Sequence, residues 1–98
     1  MFGLNKIKDA QKKAEEFKSA LASKLFEGES LNGMVKAICN GSKEFTDLSI
    51  NESIYKIREQ KEVQGMILEA VNEAIHKADL EAKQQMSKIL PNMPGLNL

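Results

Sequence analysis

The first quarter of the chain sets apolar residues at spacings of three and four: Ile7, Ala10, Ala14, Phe17, Leu21 and Leu25. An α-helix gathers such positions into one stripe, because about 3.6 residues complete a turn, and the intervening lysines fall on the remaining surface. Ala, Lys, Glu, Gln and Leu dominate the stretch, no Pro or Gly follows Gly3, and Asn5 offers an N-cap. The pattern predicts a helix of about 19 residues, a rod on the order of 28 Å long. Its stripe is narrow, close to an a/d seam, and suits packing on one partner element.

The period changes at Phe26-Glu27-Gly28-Glu29-Ser30, and Asn-Gly follows twice, at Asn32-Gly33 and Asn40-Gly41. Asn-Gly supplies the positive φ angles of two-residue hairpin turns. Between the pairs, Val35, Ala37 and Cys39 share one face of a strand and Met34, Lys36 and Ile38 the other. Apolar groups on both faces imply that the second face is at least partly covered. Residues 45–50 alternate again, with Leu48 and Ile50 on one face, so three strands joined by tight turns form an antiparallel meander.

Asn51-Glu52-Ser53 ends the sheet, and Ile54, Tyr55 and Ile57 suggest a short turn or helical piece. A longer helix follows, with Val63, Met66, Ile67, Ala70, Val71, Ala74, Ala78 and Ala82 on one face, continued by Met86 and Ile89 up to Pro91. It runs for roughly 28 residues, or about 42 Å. The row Ala70, Ala74, Ala78 and Ala82 permits another helix backbone to approach closely. The fold class is therefore α+β, an α-β-β-β-α protomer with a three-stranded antiparallel meander and two long helices. Residues 1–90 form the single domain, and residues 91–98, a Pro/Gly-containing tail, cannot extend the helix and are expected to be mobile.

A chain of 98 residues has room for one domain, and five aromatics with nine alanines make a thin core. A helix of about 42 Å also outruns a compact domain with a radius of gyration of about 13 Å. Part of it must meet a second chain. The expected assembly is a twofold homodimer joined through the sheet and the upstream half of the long helix, at Val35, Ala37, Ile38, Met66, Ile67, Ala70, Val71 and Ala74.

Charge changes this picture only when read by segment. The 14 basic and 14 acidic side chains cancel, which gives no overall pull toward nucleic acid or anionic membrane. Six lysines face three acids up to Lys24, two lysines face five acids from Leu25 to Tyr55, and six basic and six acidic residues follow. The first helix is thus basic and the sheet acidic. Lys6, Lys8, Lys12 and Lys13 fall within eight residues with one acid among them, and a twofold dimer presents the cluster twice. A Lys/Glu-rich helix face is usually only a solvated surface. Two such clusters at fixed separation can nevertheless release counterions from a polyanion, with Lys77, Lys83 and Lys88 as a second set. Without aromatic interleaving, the pattern favours duplex over single-stranded DNA. Arg58 is the only arginine, and no Arg, Asn or Gln constellation is placed to read base edges, so contacts go to backbone and shape.

Catalytic and metal chemistry find no support. One cysteine and one histidine form neither a disulfide nor a zinc cluster, and the expected compartment is reducing. Cys39, beside Val35 and Ala37, is expected to be a buried inert thiol, and His76 a solvated imidazole on a helix flank. Glu15 and Glu16 occupy adjacent helix positions that point apart, and no Gly-rich strand-turn-helix loop is present to hold a phosphate. The chain is expected to be no enzyme, with no cofactor, metal or small-molecule substrate. No apolar run approaches the roughly 18 residues of a membrane span. The opening Met1-Phe2-Gly3-Leu4-Asn5-Lys6 lacks the apolar block of a secretory signal, so a cytoplasmic location is expected.

These residues also form a familiar pattern. Met1-Phe2-Gly3, the Lys/Gln/Ala-rich first helix, FEGESLNGMVKAICNG over residues 26–41, Leu48-Ser49-Ile50-Asn51-Glu52, AVNEA over 70–74 and the closing Pro/Gly segment resemble the YbaB/EbfC family of bacterial nucleoid-associated proteins. The sheet block is the most specific part, through Gly28-Glu29, Val35-Lys36 and Asn40-Gly41. The resemblance implies an α-β-β-β-α protomer that dimerises through its sheet and adjacent helical region, projects its helices as arms, binds DNA and associates with the nucleoid. The chain departs from the family's pattern in having Leu31-Asn32 where a Gly-rich turn is common, and lysine and glutamate where the first helix is often rich in Met and Gln. A protein-binding adaptor or chaperone-like clamp, using the apolar stripe or the alanine row, is the alternative reading.

Overall fold

The computed structural model describes residues 2–89, with side chains for Asp9 and residues 11–88. The expected tail at 91–98 and the side chains of Lys6 and Lys8 lie outside the described residues. Helix α1 spans Phe2–Ala22, strands β1, β2 and β3 span Leu25–Ser30, Val35–Asn40 and Phe45–Ile50, the single turn α2 spans Ile54–Ile57, and α3 spans Gln60–Ile89. The strands are antiparallel in the order β1-β2-β3. The predicted element order therefore holds. Two boundaries differ: α1 already begins at Phe2, so Asn5 lies inside it rather than capping it, and it ends at Ala22, so Leu25 opens β1 as an exposed strand residue instead of closing the helical stripe. Gly3 does not block that start: its cost of about 1 kcal/mol is small beside a helix of 21 residues.

The two Asn-Gly pairs serve different ends. Between β1 and β2, Leu31, Asn32 and Gly33 take φ values of 50°, 54° and 85°, and the Met34 N–H donates to the Leu31 carbonyl at 3.1 Å. Asn and Gly tolerate the left-handed region there, as expected, although the turn recruits Leu31 as well. Asn40-Gly41 is not the expected two-residue turn, since the left-handed residue of that connection is Lys43, with φ of 64°. Asn40 Oδ1 instead accepts the Ser42 and Glu44 N–H groups at 2.9 and 3.0 Å, an Asx-type turn. Gly41 is needed for space: a Cβ there would lie 2.0 Å from the Leu21 carbonyl oxygen at the end of α1.

Packing of α3 follows the same logic. A Cβ on Gly28 would lie 1.8 Å from the Ala70 carbonyl oxygen and 2.6 Å from the Ala74 nitrogen, so the helix backbone rests directly on β1. The alanine row thus admits the chain's own sheet rather than another helix, with Ala70, Ala74 and Ala78 buried beside Val35, Ala37 and Cys39. Ile54 and Val63 close one end of this core and Phe26 flanks the other. A helix about 10 Å wide covers roughly two strands spaced about 4.8 Å apart, and α3 lies on β1 and β2. On the same face of β3, Leu48 (opposite Ala37) stays 50% exposed and Phe45 (opposite Cys39) 41%. The register slips between Ile38 and Cys39, leaving Thr46 as the extra residue of a bulge.

Burial narrows the expected interface. Val35, Ala37, Ala70 and Ala74 are fully buried within the chain and have no surface to offer a partner, whereas Ile38, Met66, Ile67 and Val71 remain half-exposed. The molecule measures 68 × 25 × 17 Å with a radius of gyration of 18.5 Å, well above the ~13 Å of a compact chain of this size.

Two glycines predict opposite outcomes. Gly28→Ala forces α3 off the sheet and should cost at least about 3 kcal/mol in urea unfolding. Gly65 in α3 has nothing within 4 Å of an added Cβ, and Gly65→Ala should stabilise by about 0.5–1 kcal/mol. Equal effects would contradict the packing described.

Candidate nucleic-acid interface

Among the described residues, helix α1 meets the body near its C-terminal end. Leu21 is buried at the Gly41 turn, and Lys24 pairs with Glu81 of α3. Gln85 Nε2 donates to the same carboxylate at 3.0 Å. Further out, residues 11–16 are all exposed. A cleft of about 350 Å³ opens between the helices, lined by Lys13, Glu16, Phe17, Ala20, Leu21, Lys24 and Gln85. Lys13 and Gln85 thus face one space, and the middle of α1 lies beside the last turns of α3.

That proximity brings together lysines far apart in sequence. Lys12, Lys13 and Lys18 of α1 and Lys83 and Lys88 of α3 are exposed, and among the described residues none has a carboxylate partner. The Glu81 carboxyl is held below the ordinary value by the Lys24 hydrogen bond first, then by Gln85, with further attraction from Lys24 and, of these exposed lysines, from Lys88. Lys6 and Lys8 lie nearer the start of the same helix.

Lys77 does not join this group. Its Nζ donates to the Glu27 carbonyl at 2.7 Å and sits 3.3 Å from Glu73 Oε1, which ties α3 to β1. Lys36 and Lys43 are likewise engaged, with Glu27 at 3.6 Å and Asp79 at 2.6 Å. The sheet face away from α3 carries Glu27, Glu29 and Asp47 around Lys36. Basic arm and acidic sheet are therefore separate surfaces, as the segment charges anticipated. Lys18 and Gln85 were missed by reading only the densest lysine run; following the exposed positions of the first helix as far as Lys24 finds Lys18, whereas Gln85 needs the three-dimensional fold.

Cys39 is fully buried, and its thiol is pushed up by desolvation and by the neighbouring Asp79 carboxylate. His76 is exposed on α3. Among the described residues no group of three His, Cys, Asp or Glu side chains could hold a metal ion, and no helix is long and apolar enough to cross a membrane.

With this arrangement in view, similarity to known proteins is specific. The YbaB/EbfC DNA-binding family matches residues 2–93, and the chain belongs to that family. Nucleoid-associated protein TTE0040 of Caldanaerobacter subterraneus subsp. tengcongensis is 38% identical over 97 residues, covering 94% of this chain and 87% of that protein. Nucleoid-associated protein Atu0095 of Agrobacterium fabrum is 31% identical over 98 residues, covering 97% and 92%. The crystal structure of the uncharacterized protein HP0035 from Helicobacter pylori shares the fold, with a TM-score of 0.76 and 22% identity over 89% of this chain and 92% of that one.

Two measurements check the site's electrostatics. Because the Glu81 carboxyl is depressed when folded, its stabilisation of the α1 anchor is present above the ordinary value of 4.5 and lost as pH falls through the lower folded value. Amide protection across residues 17–24 should fall over that acid range, and Glu81→Gln should remove the transition. Cys39 should resist a thiol reagent at pH 8 until the protein unfolds; prompt labelling of the native protein would contradict its burial.

Proposed function

We propose that the protein is a homodimeric, non-enzymatic, nucleoid-associated protein that binds duplex DNA through backbone and shape contacts of its basic arms. The observation that carries this reading is the gathering of unpartnered lysines from α1 and α3 at one end of a chain belonging to a DNA-binding family. Lys12, Lys13, Lys18, Lys83 and Lys88 make the central surface, Lys6 and Lys8 extend it along α1, and Lys77 contributes little because it is held at β1. Organising chromosomal DNA, with effects on gene expression, follows from sequence-independent binding of this kind, as does a nucleoid location in the cytoplasm.

The homodimer is supported by the uncovered third of the sheet. Leu48 and Phe45 lie open beside the half-exposed Ile67 and Val71 of α3, and Leu68 is 62% exposed on that helix. This corner has room for a second helix over β3, and a twofold axis would cover both copies at once. A protein-binding clamp is the second reading, favoured by the apolar floor of the α1–α3 cleft. Retention of a protein partner after nuclease treatment would favour it.

Duplex affinity should fall steeply between about 50 and 200 mM salt, and each lysine lost in Lys12→Gln/Lys13→Gln should flatten the log–log slope by about one unit. An absent or salt-insensitive gel shift would sink the DNA reading. Leu48→Glu/Val71→Glu should give monomers in sedimentation at low micromolar concentration, where the parent is a dimer.

A further inference from the structure

The face of the sheet turned away from α3 carries Leu25, Glu27 and Glu29 of β1, Lys36 and Ile38 of β2, and Asp47 of β3. Leu25 is 65% exposed there. The register sets Glu27, Ile38 and Asp47 in one cross-strand row, so a half-buried isoleucine stands between two exposed carboxylates. Lys36 reaches Glu27 at 3.6 Å, whereas Glu29 and Asp47 have no basic partner among the described residues. Three acids to one base, rimming the apolar pair of Leu25 and Ile38, suit a cationic occupant.

The chain's own arm does not supply that occupant. The middle of α1 runs beside the last turns of α3, and α3 lies on the opposite face of the sheet. Lys12 and Lys18 are exposed, do not line the cleft, and have no carboxylate partner among the described residues. Six residues separate them, about 9 Å along the helix axis. Glu27 and Asp47, two strands apart in their row, are separated by about 9.6 Å. Charge and spacing therefore match between two surfaces of one chain that do not meet within it. Exposed ion pairs each contribute little, so a contact of this kind fills only near millimolar protein and is empty at low micromolar concentration.

We propose that the outer sheet face binds α1 of a separate molecule of this chain, with Lys12 and Lys18 seated on Glu27, Glu29 and Asp47 around Leu25 and Ile38. The contact joins molecules that are already held close together, and it stands whether or not the arms bind DNA.

Two experiments on the full-length protein, freed of nucleic acid, test it. Heavy- and light-isotope protein is mixed in about 10 mM salt, where charges act over about 30 Å, and lysines are coupled to touching carboxylates with a carbodiimide. Mass spectrometry should find Lys12 or Lys18 joined across isotopes to Glu27, Glu29 or Asp47 at about 1 mM protein, with the link lost on dilution to about 10 μM. Links only within one isotope, or links that persist on dilution, would overturn the proposal. Static light scattering at about 1 mM protein should give an apparent mass at least about twofold higher in 10 mM salt than in 1 M salt. Neutralising the sheet in Glu29→Gln/Asp47→Gln, or the arm in Lys12→Gln/Lys18→Gln, should each remove that rise. A rise that survives either neutralisation would overturn it.

Discussion

The backbone of β1 at Gly28 meets the backbone of α3 at Ala70 and Ala74 with no side chain between them, and most of the architecture depends on that contact. It requires glycine on the strand and alanine on the helix, and it fixes α3 over β1 and β2. The third strand, apart from Ile50, is left exposed as a direct consequence. Gly41 does the same for the other helix, admitting the Leu21 carbonyl and so deciding where α1 leaves the sheet. Close packing through small residues buries little apolar area, and the largest fully buried side chains are only Ile54, Val35 and Cys39. A core this thin is consistent with a protomer that gains stability from a second copy at its open corner.

The same geometry explains how a chain of zero net charge can present a cationic surface. Acids of the sheet and of α3 are occupied holding lysines that fasten the body together: Glu27 with Lys36, Asp79 with Lys43, Glu73 with Lys77 and Glu81 with Lys24. Each exposed pair contributes little to stability. Their larger effect is on where uncompensated charge remains, which is along the two arms. A polyanion approaching the arms meets lysines, and one approaching the outer sheet face meets Glu27, Glu29 and Asp47.

Much of this was legible in the residues, and the gaps have physical causes. The 3.6-residue period of Ile7 to Leu21, the alternation of Val35, Ala37 and Cys39, and the long stripe from Val63 to Ala82 located α1, β2 and α3, because periodicity reports directly which face is buried. What periodicity does not report is the occupant of a face. The alanine row was read as a seat for another helix, since only the fold shows Gly28 opposite it. Gly41 was read as a turn residue for the same reason: a glycine chosen for space and one chosen for positive φ look alike in sequence. Basic character was visible in the first helix, but the grouping of Lys13 with the end of α3, and the removal of Lys77 from that group, depend on contacts between residues fifty or more positions apart.

The most direct measurement is a map of which amides respond to duplex DNA in a nuclear magnetic resonance titration at low salt. The account predicts perturbations concentrated at residues 11–18 and 83–88, with the outer sheet positions Glu27, Glu29 and Asp47 unaffected. Perturbations centred on the sheet, with the arms silent, would contradict it.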